Sequence, residues 1–462
     1  MKLFSTRLLH LPDSFGQLGK LKELTIYECY DLFELPASFT NLSSLETLLI
    51  YGGSSLIDLP LGFENLSKLR RLELLNCAMP YLPDRFGELL SLEILILQTT
   101  DTYKRIGVNF EPASRPAHLG YESEGEEFEL DGSCSLRAFP GTFSLLTRLE
   151  QLIIDGCEML EELPSGMGNL RSLKVLKVEN CKRLKSAHYL PESFLSLDRL
   201  LHLNLYDLRS LTHLIAPPAL SQTPDRAEAD KKFTPHAPLP VLPRMPGSIG
   251  QAGLGRLSSL VHLHIVNTNL PALPENLGDL KELAVLLLEK CHAITSLPSS
   301  MVTLPKLQQI NLKTLPLLTH LPENLGQLKA LNELGLDSCK SLENLPSSFT
   351  LLSSLIMLSI INCPKITCLP DSLSSFTCLS SLKLNRLPKL RFLPSPFSLP
   401  SLVQVSLQGC KALRALPSDL GSLSCLREVD LDVCTQLKEL PGSLVDRVNV
   451  IQVKGSWGKS CY

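Results

Sequence analysis

Cysteine is the residue type here with the widest chemical range, and the sequence holds 14 of them. Nine share one place in a recurring pattern: Cys29, Cys77, Cys157, Cys181, Cys291, Cys339, Cys363, Cys410 and Cys434. A thiolate can attack a carbonyl, bind zinc or close a disulfide, so each use must be weighed. Other copies of the pattern carry Gly53, Thr100, Leu208, Thr268, Leu315 and Leu387 at the same place. Neither a nucleophile nor a ligand survives exchange for Leu or Thr at intervals. A small, largely apolar side chain turned into a core fits every copy. The thiol is a weaker donor than the Asn common at such turns but a better hydrophobe, and backbone groups leaving a strand still need partners.

Cys157 with Cys181, Cys339 with Cys363, and Cys410 with Cys434 fall on neighbouring copies. Strands about 4.8 Å apart bring such pairs within disulfide reach. Inward-pointing side chains in a reducing compartment are nevertheless expected as free thiols. Zinc calls for paired cysteines at short spacing or for accompanying histidines. Cys363 and Cys368 come nearest, without a matching second pair. His202, His262 and His264 gather on the outward positions of two middle strands with Asn204 and Tyr206. They lack a suitably placed carboxylate, so the expectation is a polar contact surface, no metal and no cofactor. Gly458-Lys459-Ser460 imitates the end of a phosphate loop, but Val453 stands where its first Gly belongs, and no helix can follow. With no Ser-His-Asp order and no paired-carboxylate motif, the chain is expected not to be an enzyme.

The elements that position these residues come from one repeat. Leu11-Pro12, Leu35-Pro36 and Leu59-Pro60 are 24 residues apart, and the same step runs from Leu273-Pro274 to Leu393-Pro394. The unit reads L-P-x-x-Φ-x-x-L-x-x-L-x-x-L-x-L-x-x-C-x-x-L, with Φ as Phe, Leu, Met or Ile. Stretches such as LKELTI, LEQLII, LKVLKV and LNELGL alternate like short strands. After Leu-Pro, DSFGQLGKL spaces Phe15, Leu18 and Leu21 by three, as a turn of helix or 3₁₀ helix does. One strand and one turn cannot bury their own leucines, whereas stacked copies can. The predicted fold is an α/β repeat solenoid, a leucine-rich-repeat horseshoe. Its parallel β-sheet lines the concave face, with short helices or 3₁₀ turns on the convex face, over about 15–16 repeats of 23–24 residues.

Length alone suggests about three domains, but the repeat stays in phase and implies one domain over 1–462. Two stretches break the alternation: 101–133, with the acidic YESEGEEFELD, and the Pro-rich 215–244. Each is expected to leave the sheet as a loop. Residues 445–462, more polar and degenerate, are expected to cap the C-terminal end. Met1 falls at the end of a repeat with no strand before it, which suggests that part of a larger ancestor is missing.

Composition narrows the classes. The 44% hydrophobic content supports a large core, and a net charge of −3 offers no broad field for nucleic acid. No apolar run is long enough to span a bilayer, and the first residues do not read as a signal peptide. The sequons at Asn41 and Asn65 sit at one repeat position and read as by-products of it. A cytoplasmic protein with protein partners is expected, with no nucleic acid and no membrane span.

Copies such as LIIDGCEMLEELPSGMGNL, LGLDSCKSLENLPSSFTLL and VSLQGCKALRALPSDLGSL resemble the repeats of plant intracellular immune receptors of the nucleotide-binding type. In particular they resemble those carrying an N-terminal TIR domain. A second resemblance, to plant Ras-group-type repeat proteins, is looser, because those favour Asn over Cys and a 23-residue step. The first resemblance covers the repeats alone, since this chain contains no nucleotide-binding module. It implies recognition of protein partners on the concave face, in plant-type defence signalling. The alternative is a general intracellular scaffold or substrate adaptor, in signalling or ubiquitin transfer.

Outward strand positions are expected to be polar. Here Tyr27, Leu49, Tyr51, Leu75, Ile94, Ile96 and Ile153 occupy them, making the N-terminal half a candidate contact patch. Farther on, Glu333, Asp337, Glu428, Asp430 and Asp432 make the face acidic.

Overall fold

A computed structural model gives the architecture. It describes the whole chain except residues 5–6, 100–134, 165, 185–189, 215–252, 371–372, 374, 448 and 456–462. Both expected loops, 101–133 and 215–244, lie outside the described residues. The chain divides into two compact units, Met1–Leu184 and Lys185–Tyr462.

The first unit carries β1 (Lys2–Phe4), β2 (Glu23–Tyr27), β3 (Thr47–Tyr51), β4 (Arg71–Leu75), β5 (Ile94–Gln98), β6 (Gln151–Asp155) and β7 (Val175–Glu179). Each pairs in parallel with the next. The second carries β8 (His202–Tyr206), β9 (His262–Val266), β10 (Val285–Glu289), β11 (Gln309–Lys313) and β12 (Glu333–Asp337). It continues with β13 (Met357–Ile361), β14 (Ser381–Asn385), β15 (Gln404–Ser406), β16 (Glu428–Asp430) and β17 (Gln452–Lys454), again parallel throughout. One of these strands departs from expectation: β1 lies in the first residues of the chain, where no strand was expected. β17 extends the sheet within the stretch expected to cap the C-terminal end.

Register explains the core. Leu24 and Ile26 pair with Leu48 and Ile50, and these with Leu72 and Leu74, all buried. Behind many of the strands, proline sets the entry to a 3₁₀ turn. Pro12 holds φ at −69°, its carbonyl accepts from Phe15 N–H at 2.8 Å, and Phe15 carbonyl accepts from Leu18 N–H at 3.1 Å. The three-residue step turns the aromatic inward, and successive aromatics stack: Phe15 on Phe39 at 6.2 Å, and Phe63 on Phe86 at 6.5 Å. Burying one such ring contributes about 1.5–3 kcal/mol.

The turns also pack closely on one another. A Cβ on Gly326 would lie 2.0 Å from the carbonyl oxygen of Ser348 on the following coil. Gly326 N–H donates to Ser348 Oγ at 3.1 Å, and the same hydroxyl donates to the Glu323 carbonyl. Gly421 with Ser443 repeats this brace, at 3.1 Å for the N–H and 2.6 Å for the hydroxyl on the Ser418 carbonyl. The only α-helix among the described residues is the four-residue α1 (Gly442–Val445).

As most of these strands end, one residue adopts a left-handed conformation. Asn76, Asn180, Asn267 and Asn362 do so with φ between 52° and 54°. The reversal keeps the backbone satisfied: Asn76 N–H still donates to the Gln98 carbonyl of the next strand at 2.8 Å. Thr314 and Val433 hold the same conformation at φ 54° and 59°, although branching at Cβ makes it costly.

Candidate partner-binding surface

The residue after nine of these left-handed turns is the recurring cysteine. All nine are free and buried. Several of their thiols turn back across the stack to carbonyls of the preceding coil: Cys77 to Ile50 at 3.9 Å, Cys291 to Ile265 at 3.6 Å, Cys339 to Leu312 at 3.7 Å, and Cys434 to Leu407 at 3.1 Å. Where Thr268 replaces cysteine, its hydroxyl lies 3.5 Å from Cys291 Sγ. Burial pushes Cys410 up to about 11 and Cys434 up to about 12. A thiol held protonated at neutral pH neither attacks nor binds metal well. The ladder therefore ties coil to coil.

The opposite, outward row of each strand forms the exposed sheet face, and parallel register fixes who sits beside whom. In the first unit one row runs Phe4, Tyr27, Tyr51, Leu75, Gln98, Asp155, Glu179. Beside it run Thr25, Leu49, Glu73, Ile96, Ile153 and Lys177. Ile94 lies on the third row, between Arg71 and Gln151. The structure thus brings all seven expected residues onto one face.

Their exposure differs. Tyr27, Leu49, Tyr51, Ile94 and Ile153 are partly exposed. Leu75 and Ile96 are only 4% and 9% exposed, against the expectation for outward positions. Direction out of the sheet does not confer exposure where long neighbours flank a residue on both sides. Tyr51 and Gln98 flank Leu75, and Glu73 and Ile153 flank Ile96. Asp155, on the same face, is buried as well, accepting from Asn180 Nδ2 at 2.6 Å and Gln98 Nε2 at 3.1 Å.

The accessible part is aromatic. Tyr27 and Tyr51 stack with centroids 4.5 Å apart and planes at 9°, and Phe4 meets Tyr27 at 5.9 Å. Tyr30 stands beside Gly52, and burial raises its phenol, helped by Glu28. Phe4 and Tyr30 were not anticipated. Phe4 sits in a strand too short to show alternation, and Tyr30 follows a turn rather than a strand.

In the second unit His202 stacks on His262 at 4.4 Å and 18°, while Asn204 pairs with His264 and Tyr206 with Val266. The expected polar group is thus assembled on two adjacent strands. Burial lowers His262, whose Nδ1 is enclosed without a hydrogen-bond partner among the described residues. Among those residues no group of three His, Cys, Asp or Glu side chains is placed to hold a metal ion. Farther along, Glu428 meets Lys454 at 2.5 Å and Gln404 at 3.1 Å, and Asn311 reaches Glu333 at 3.3 Å. The acidic character there is partly neutralised by its own neighbours.

No protein-family profile matches the chain. Among solved structures, a leucine-rich-repeat protein of Leptospira interrogans superposes with a TM-score of 0.68 at 20% identity, covering 99% of this chain and 95% of the other. The fold is a leucine-rich-repeat solenoid. Toll in the Drosophila Toll–Spatzle complex superposes with a TM-score of 0.60 at 16% identity, over 93% of this chain and 49% of that one. In sequence, 164 residues are 28% identical to the TMV resistance protein N of Nicotiana glutinosa. That segment is 36% of this chain and spans only 13% of the resistance protein. Among the described residues no helix is long and apolar enough to cross a membrane.

Proposed function

We propose that this chain is a non-catalytic recognition module that binds a protein partner through the outward face of β2 and β3. The observation that carries this reading is the accessible Tyr27–Tyr51 stack, extended by Phe4 and flanked by Leu49. Stacked tyrosines offer apolar area at little entropic cost, which is the character of interface anchors. Within the second unit, His202, Asn204, Tyr206, His262 and His264 supply a separate, polar surface of the same kind. Ile94 and Ile153 are rim contacts in this reading, and Leu75 and Ile96 pack between the neighbours that flank them.

The proposed setting is defence signalling inside a plant-type cell. It is supported by the similarity to a segment of a tobacco virus-resistance protein and by the cysteine-bearing consensus. The test is proximity labelling or co-purification of the wild-type chain and of Tyr27→Glu/Tyr51→Glu from challenged and unchallenged cells. The reading expects a partner retained by wild type and lost by the variant, and it fails if every partner is kept. A partner bound equally with and without challenge points instead to a general scaffold or adaptor.

A further inference from the structure

A second surface lies on the loops between each cysteine and the following Leu-Pro, away from the sheet face. These loops also stack in register. Thr319 N–H donates to the Thr295 carbonyl, Glu343 to Thr319, and Arg414 to Arg391, the last at 3.0 Å. The equivalent position in the first unit is mixed: Leu9 and Phe33 are joined by the same bond at 3.3 Å, and farther along Arg137 and Glu161 are joined by it at 3.1 Å. In the second unit it is Thr295, Thr319, Glu343 and Thr367 in turn, then becomes basic at Arg391, Arg414 and Lys438. Two residues earlier in the same loops stand Lys365 and Lys389, and Lys411 stands three before Arg414.

All six cations are exposed. Lys365 is tied to Glu343 at 2.8 Å. No described ion pair engages Arg391 or Arg414. Their backbones are hydrogen-bonded neighbours, so two guanidinium groups share one edge without an anion between them. Like charges in register repel, and the threonines on earlier coils show that the repeat does not require charge here. Alongside runs a groove lined by Thr367, Pro388, Lys389, Arg391 and Ala412. Phe392, next in the chain, is 55% exposed.

We propose that this edge binds a short acidic peptide segment of a partner protein, its carboxylates on Arg391, Arg414 and the adjacent lysines and an apolar side chain against Phe392. Coils repeat about every 4.8 Å, and alternate side chains of an extended peptide recur about every 7 Å. Flexible Lys and Arg stems span that difference. A single-stranded nucleic acid fits less well. Its capture relies on several aromatic stacking platforms and a long positive groove, whereas this edge has one exposed Phe and sits on a chain of net charge −3.

The test is fluorescence anisotropy on the full chain with three labelled probes. These are a ten-residue peptide alternating Glu with Leu and Phe, the same peptide with Gln for Glu, and ten-nucleotide oligothymidylate. The acidic peptide is expected to bind, more weakly as salt rises, and Arg391→Glu/Arg414→Glu should weaken it about tenfold or more. Lys389→Gln/Lys411→Gln should weaken it to a smaller degree, providing a milder variant should charge reversal disturb folding. Lys20→Glu/Lys68→Glu, in the first unit, should leave it unchanged. The proposal is overturned if the acidic peptide does not bind, if the Gln peptide or the oligonucleotide binds as well or better, or if neither second-unit variant alters binding.

Discussion

Tyr27 and Tyr51 stand in register on adjacent parallel strands, their rings stacked 4.5 Å apart with 9° between planes. The stack joins fold to function. The same alternation that buries Leu24, Ile26, Leu48 and Ile50 sends both tyrosines to the other face, where they stabilise each other and present one continuous apolar surface. Aromatic pairs of this kind contribute about 0.5–1.5 kcal/mol beyond their buried area. A double-mutant cycle of Tyr27→Ala and Tyr51→Ala, followed by urea denaturation, is therefore expected to give a coupling energy in that range. Additive losses would show that the rings do not support one another.

The cysteine ladder predicts a sharp division in reactivity. Cys368, Cys378 and Cys425 are exposed, whereas the nine repeat cysteines are buried, with Cys410 and Cys434 raised by burial. Alkylation of the native protein at pH 7.5, read by peptide mass spectrometry, should label the three within minutes. The nine should react only after denaturant is added. Fast native labelling of Cys339 or Cys363 would contradict their role as core thiols.

The close approach of successive 3₁₀ turns predicts unequal costs for the same substitution. Gly326→Ala forces a methyl against the Ser348 carbonyl, 2.0 Å from its ideal position, so backbone must shift. The expected loss is about 1–3 kcal/mol. Gly442→Ala meets nothing within 4 Å and lies in a helical turn, so it should be neutral or slightly stabilising. Thermal melts of the two variants beside wild type make the comparison.

Thr314 holds a left-handed conformation, φ 54°, at a position where Asn serves in other copies. Thr314→Asn removes the clash of a branched Cβ with the backbone and should stabilise the protein by about 0.5–1 kcal/mol. An unchanged or lower denaturation midpoint would mean that the threonine makes compensating contacts.

Much of this architecture could be read from residues alone, because the repeat supplies its own controls. The exchange of Cys for Thr268, Leu315 and Leu387 favours a packing role over a reactive one, and the buried thiols agree with it. Alternation also placed Tyr27 and Tyr51 on the outward face. What it could not give was exposure, since periodicity fixes a direction but not what neighbours cover: hence Leu75 and Ile96. β1 escaped notice because three residues show no period. The left-handed turn was partly hidden because Glu28, Lys290 and Val433 occupy it as well as Asn and Gly. The basic edge was obscured because its residues lie 22 to 24 apart and become neighbours only through stacking.

The stacked histidines carry the pH dependence. Burial lowers His262, and its enclosed Nδ1 finds no acceptor among the described residues, so the folded state favours the neutral ring. In the unfolded chain the same ring titrates near its ordinary value of about 6.5. Below that pH the unfolded state binds a proton that the folded state resists. The stability from this site is thus complete above about pH 6.5 and is lost as the pH falls below it. Wild type should therefore lose more stability between pH 7.5 and pH 5.5 than His262→Gln, which keeps a polar planar group but does not titrate. Equal losses in the two proteins, measured by denaturant midpoints at both pH values, would assign the acid sensitivity elsewhere.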